Sequence, residues 1–334
     1  MNRRIRHSAL VLGVLLLSRA LWPVVIKIGS IAPSRSIWDK KLNELAREWA
    51  KISAGTVRLQ VYPGGIVGGE LETLTKMRMG ILGGAVFTVM GMTTIDGDAF
   101  VLTTPFLINT DEEFHYVFDR LKPVLEKQIE TKGYKVLGWI LIGWEYFFSK
   151  DKVLYPEDMK KHKLSVTTVG PELAHAWKRI GYQIIPNDLK DLLMALQSGL
   201  ATAFYLPPLL AGTGQFFALA PHMLNLRMAP VIGALVLTRR AWESVPAAYR
   251  EPMRKAAGQV TSGLYQQTLD LERDVIGAMK KNGLIIHEPP ADALEKWRAT
   301  GAQGMEVLVG KSFSREIYER LLALLEEFKR LHDH

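Results

Sequence analysis

KLSVTTVGPELAHAWKRIGYQIIPNDLKDLLMALQSGLATAFYLPP, from Lys163 to Pro208, decides the fold. Leu164 to Val166 reads as a short buried strand and Glu172 to Ile180 as a helix. Gln183 to Pro186 reads as a second strand, and Leu189 to Ser198 as a second helix ending at Gly199. Strand, helix, strand, helix in so short a span predicts an α/β fold with a sheet flanked by helices. Ligands in such sheets sit where strands end and the chain leaves for the next helix. Ser165, Thr167 and the Tyr205-Leu206-Pro207 corner are therefore expected to border a pocket, and none of them is Arg or Lys.

Outward from this stretch the alternation repeats. VVIKIGSIAP after Pro23 is an expected strand, and Ser36 an N-cap for a helix whose Trp38, Leu42, Leu45 and Trp49 share a face. Thr56 to Tyr62 alternates as a strand, Glu70 to Met79 reads as a helix, and Gly83 to Val89 as a further strand. Phe114, Val117, Leu121 and Leu125 mark a helix face. Val136 to Trp139 is an expected strand, followed by the aromatic run Gly143 to Phe148 and a polar interdomain crossing at Ser149 to Lys152. Such a run suits either a ligand wall or interdomain packing. Ala229 to Thr238 reads as a buried strand and Arg250 to Lys281 as a long helix. Leu284 to His287, Asp292 to Thr300 and Phe313 to Leu331 read as strand, helix and amphipathic closing helix.

Composition narrows the class. At 334 residues the chain favours two domains, and 48% hydrophobic with 23% charged residues excludes a disordered one. There is no cysteine, so thiolate metal sites and disulfides are excluded. Arg3, Arg4 and Arg6 before the apolar run Ala9 to Leu17, with Ser18-Arg19-Ala20 after it, predict a signal peptide over 1–20. A retained anchor is the alternative reading. Its removal takes four arginines and no acid, lowering the formal charge from +8 to about +4, which does not indicate nucleic-acid binding.

Catalytic and cofactor motifs are not expected. The glycines from Gly64 to Gly69 miss the dinucleotide spacing, and Gly310-Lys311-Ser312 lacks the leading glycine of a P-loop, Met305 standing there. None of the eight histidines falls in an H-E-x-x-H or comparable metal spacing. Glu145 beside Trp144 reads as a hinge salt bridge in preference to a carboxyl of raised pKa. The reading is no enzyme, no cofactor and no metal.

Five segments together resemble the solute-binding proteins of TRAP transporters (tripartite ATP-independent periplasmic transporters), the dicarboxylate-binding DctP family. They are KIGSIAPSRSIWDKKLNELAREWAKIS, VYPGGIVGGELETLTKMRMG, TPFLINTDEEFHYV, KGYKVLGWILIGWEYFFSK and LQSGLATAFYLPP, and the similarity spans Val25 to Phe328. The resemblance implies a two-lobed, type II-like periplasmic binding protein with parallel or mixed sheets, hinge strands and a lobe-spanning helix. The expected division is 24–148 plus 236–262 for the first lobe and 149–235 plus 263–310 for the second, with 311–334 a C-terminal helix. It implies a ligand delivered to TRAP membrane permease subunits by secondary transport.

Where the family carries a lysine-hydrophobic-arginine-valine strand, this chain has Lys163-Leu164-Ser165-Val166, so Ser165 stands at the arginine place. Leu196-Gln197-Ser198-Gly199 is kept, but Leu206 of the Tyr205-Leu206-Pro207 corner replaces an asparagine. The chain resembles the branch that lacks the arginine and pairs with a tetratricopeptide-repeat periplasmic partner. A charge-assisted fork is worth roughly 1.5–3 kcal/mol, which a serine and a leucine cannot supply. A hydrophobic or amphipathic ligand is therefore expected, lined by Trp144, Phe147, Leu206, Pro207, Phe216 and Phe217, with Tyr62, Ser165, Thr167 and Tyr205 as polar points. The alternatives are a carboxylate held by a relocated clamp such as Arg227, and a ligand-presenting sensor.

Overall fold

The computed structural model of the chain describes residues 23–166, 171–187 and 189–332. The expected signal peptide and Thr167 lie outside them.

Ten strands run in order through the described residues. They are β1 (Val24–Ser30), β2 (Val57–Tyr62), β3 (Gly84–Thr88), β4 (Tyr134–Ser149), β5 (Lys163–Val166), β6 (Gln183–Pro186), β7 (Ala203–Leu206), β8 (His222–Leu224), β9 (Ala229–Thr238) and β10 (Ile285–His287). Hydrogen bonding joins them in the order β2-β1-β3-β9-β4-β7-β5-β6, with β8 beside β4 and β10 beside β8. β1 is parallel to β2 and β3, and β5 is parallel to β6 and β7. β9 is antiparallel to β3 and β4, and β4 antiparallel to β7. The sheet is mixed.

β4 is the shared strand. From Tyr134 to Glu145 it pairs with β9, and from Tyr146 to Ser149 with β7. The crossing expected at Ser149 to Lys152 thus lies inside the strand, because the pairing passes from one partner to the other without a break. Register slips between Leu141 and Gly143, and Gly143 takes φ 152°, which only glycine adopts readily. β9 pairs with the first sheet over its whole length.

The helix Ala247–Lys281 is 35 residues, about 50 Å long, and braces both sheets. Trp49 donates its indole N–H to the Met253 carbonyl at 3.1 Å, fixing the first end. Gly138 of β4 leaves room for Thr261, and Gly212 for Val275, where any side chain would collide. The helix Ala293–Leu308, longer than expected, buries Trp297 between Phe106 and Phe147 at 5.1 and 5.0 Å between ring centroids. Helix Arg315–His332 then packs on the first lobe, where Asp98 accepts from the Ser314 amide and hydroxyl at 2.6 and 2.9 Å.

Candidate functional site

Thr88 ends β3, Ser165 stands one residue short of the end of β5, Asn187 follows β6, and Leu206 ends β7. These strand ends converge on a cavity of about 240 Å³ between the two sheets, where the topology leads one to look. The first lobe supplies Thr88, Val89, Met90, Phe100, Thr103 and Pro105; the second supplies Leu189, Leu192, Phe204 to Pro207 and Leu210. Glu145, Met228, Pro230 and Val231 line it from the hinge strands.

The hinge is stitched by its backbone. Met228 N–H donates to the Glu145 carbonyl at 2.9 Å, and Phe106 N–H to the Met228 carbonyl at 2.6 Å. Phe106 itself holds φ 62°, a left-handed conformation costly for a bulky residue and kept here by its buried ring. Pro105, the residue before it, lines the cavity.

No Lys, Arg or His is among the lining residues described; Glu145 and Tyr205 are the ionisable ones. The Glu145 carboxyl has neither a hydrogen bond nor an ion pair among the described residues. Burial pushes its pKa up to about 8, so the acid is neutral at pH 7. The hinge salt bridge expected for Glu145 is not formed among the described residues. Burial also drives the Tyr205 phenol well above its ordinary range, with the Glu145 charge adding to the shift. The Tyr205 hydroxyl and Asn187 amide nitrogen are buried without a partner among the described residues. By contrast the Thr88 hydroxyl donates to Glu70 at 2.9 Å, and that of Thr103 to the Phe100 carbonyl at 3.1 Å.

Of the residues singled out from sequence, Ser165, Tyr205, Leu206 and Pro207 come together in the cavity. Trp144, Phe147, Phe216, Phe217 and Tyr62 do not line it, for physical reasons. Successive residues of a strand face opposite ways, so Glu145 facing the cavity turns Trp144 to the other side. There the Trp144 indole donates to Asp111 Oδ1 at 2.8 Å. Phe147 shares Glu145's side but is sealed under Phe106, Trp297 and Tyr205. Phe216 and Phe217 pack with Phe148 and Phe204 in the second lobe's core. Tyr62 ends the edge strand β2, separated from β3 by β1.

Arg227 does not line the cavity either. Its Nη1 lies 3.3 Å from Asp111 Oδ1 and its guanidinium carbon 4.6 Å from the Trp144 ring centroid. Asn187, Leu192, Leu210 and the Thr88–Met90 segment were missed from sequence, and Glu145 was weighed there as a hinge salt bridge or a raised-pKa carboxyl but not as a lining residue. Two cues pointed their way: Glu145 inside an aromatic run, and the rule that pockets gather at strand ends.

A family model described as DctP, bacterial extracellular solute-binding protein, family 7, matches residues 28–311. An uncharacterized protein of Haemophilus influenzae is 25% identical over 291 residues, 84% of this chain and 86% of that protein. A TRAP periplasmic solute-binding protein from Desulfovibrio salexigens with bound orotic acid superposes with TM-score 0.81 at 17% identity, covering 92% of this chain and 99% of its own. One from Roseobacter denitrificans with bound β-D-glucuronate gives TM-score 0.80 at 17% identity, covering 90% and 99%.

Proposed function

Because the chain belongs to the DctP family of bacterial extracellular solute-binding proteins, and is therefore a solute-binding protein and not an enzyme, we propose that its cleft takes a hydrophobic or amphipathic ligand. The family sets its place of work outside the cytoplasm, consistent with the signal peptide read over 1–20. Closure of the two lobes about β4 and β9 would shut the ligand in, and TRAP membrane permease subunits would receive it. A tetratricopeptide-repeat periplasmic partner belongs to the same reading.

The observation that carries this is the cavity wall. It holds Leu206, Pro207, Leu210, Met228 and Val231 and, among the described lining residues, no cation. On the resemblance read from sequence, Ser165 falls at the place where an arginine is expected. Burying a carboxylate against such a wall, beside a second carboxyl, is costly. Each methylene buried there contributes about 0.8 kcal/mol, so a few carbons outweigh a missing fork. The orotic acid and glucuronate named for the two solved relatives favour a second reading, a carboxylic acid, for which this cavity would need a donor other than Arg or Lys.

The test is to purify the chain from expressing cells without denaturation and identify what co-elutes by solvent extraction and mass spectrometry. An apolar or amphipathic molecule in stoichiometric amount is expected. A small dicarboxylate or sugar acid in that amount would refute the reading.

A further inference from the structure

We propose that the cleft selects an amphipathic amine, whose ammonium group docks on Glu145 while its carbon skeleton lies against Leu206, Pro207, Leu210 and Met228. The inference rests on the reading of the cleft as an apolar site and adds the chemistry of the ligand's polar end.

Three observations converge on it. The Glu145 side chain lines the cavity with no cation or hydrogen-bond donor paired to it among the described residues. The polar lining groups of the first lobe are already committed, Thr88 to Glu70 and Thr103 to a backbone carbonyl. The Tyr205 hydroxyl and Asn187 amide are not, so unsatisfied hydrogen-bonding capacity gathers in the lining alongside the carboxyl. An ammonium ion carries three donors and a positive charge, and so can serve Glu145 and the Tyr205 oxygen together. A carboxylate ligand would meet a like charge or force both acids to stay protonated. The cavity of about 240 Å³ exceeds the ~150 Å³ apolar cavity that holds one benzene, leaving room for a ring or short chain and its head group.

The pairing has a pH signature. Without ligand, burial keeps the Glu145 proton on up to about pH 8. A ligand arriving as an ammonium requires that proton to leave for bulk water, so affinity rises with pH below 8 and levels off above it. A neutral ligand that accepts a hydrogen bond from protonated Glu145 would show no such rise, its affinity level below pH 8 and falling above it. Few groups complicate this. Lining the cavity with Glu145 are Tyr205 of β7, Ser165 of β5, Met228, Pro230 and Val231 of the hinge segment, and Asn187 after β6. Tyr205 is the titratable one of these, and its phenol stays protonated throughout this range.

The experiment titrates the full chain, stripped of bound ligand, with n-octylamine, 1-octanol and octanoate by calorimetry at pH 6, 7 and 8. The same series is run on Glu145→Gln. The expected order at pH 8 is amine, alcohol, acid, with amine affinity rising about tenfold between pH 6 and 7. Glu145→Gln should lower amine affinity by roughly ten- to a hundredfold and erase the amine-over-alcohol preference. Equal affinity of amine and alcohol for the unaltered chain at every pH would overturn the amine inference and leave the apolar reading standing. Octanoate binding tightest would overturn both.

Discussion

Arg227 is held against Asp111, Nη1 to Oδ1 at 3.3 Å, and Asp111 also accepts from the Tyr265 hydroxyl at 2.6 Å and the Trp144 indole at 2.8 Å. The network ties a loop, a helix start, β4 and the spanning helix together beside the hinge, and engages a cation that could have served as a clamp. Burial pushes the Asp111 carboxyl up, but the Tyr265 and Trp144 hydrogen bonds and the Arg227 charge outweigh it, and its pKa lies below the ordinary range. A depressed carboxylate pKa adds stability above its unfolded value and loses it as pH falls through the folded one. Asp111→Asn should cost about 2 kcal/mol at pH 7 in urea unfolding, and should flatten the stability loss seen below about pH 4.

Glu145 acts with the opposite sign. Its pKa is about 8 when folded, against about 4.3 in an unfolded chain. Between those values the folded state holds a proton that the unfolded state has released, so ligand-free stability falls as pH rises through the window. Glu145→Gln should raise the melting temperature at pH 8 by several degrees and change it little at pH 4. An unchanged melting temperature at both would mean the carboxyl is hydrated or paired.

His222 Nδ1 and His287 Nε2 stand 2.7 Å apart where β8 and β10 pair in the second lobe. Burial lowers the His287 pKa first, and the His222 and Lys152 charges lower it further. The unfolded chain takes up this proton near pH 6.5 before the folded one does, so stability drops as pH falls below about 6.5. In His287→Asn that slope should be shallower in urea titrations from pH 7 to 5.

A Cβ at Gly138 would come 2.3 Å from Thr261 Oγ1. Gly138→Val should therefore destabilise by about 1–3 kcal/mol by pushing the spanning helix off β4. Gly258 lies one turn earlier in that helix with nothing within 4 Å of its missing Cβ. Gly258→Ala should stabilise by about 0.5–1 kcal/mol, the contrast being read by denaturant midpoint.

Ser165 is 8% exposed and lines the same cavity as Glu145. Ser165→Arg would place a guanidinium where it can pair with that carboxyl and fill the site. Affinity for an apolar ligand should fall at least about tenfold. In Ser165→Arg with Glu145→Gln, where the guanidinium is free, carboxylates such as octanoate should begin to bind, which calorimetry would detect.

Local pattern made most of the fold legible. The alternation from Leu164 to Gly199 and the apolar run at Ala229 to Thr238 encode their own elements, since period and breakers lie within each segment. The site was harder. Ser165 and the Tyr205 corner were found because strand ends are readable, whereas Pro105 and Met228 reach the cavity through pairings between residues far apart in sequence. Hydrophobicity alone does not separate a ligand wall from a core, so Trp144, Phe147 and Phe216 were named alongside Leu206, while Leu210 was not. Which way Glu145 faces depends on the register slip at Gly143, and no periodicity through that run reports it.

A crystal structure of the chain with its co-purified ligand tests the central claim most directly. The account predicts carbon atoms against Leu206, Pro207, Leu210 and Met228, with no arginine or lysine nitrogen within hydrogen-bonding distance of the ligand. A ligand carboxylate forked by a guanidinium inside the cleft would contradict it.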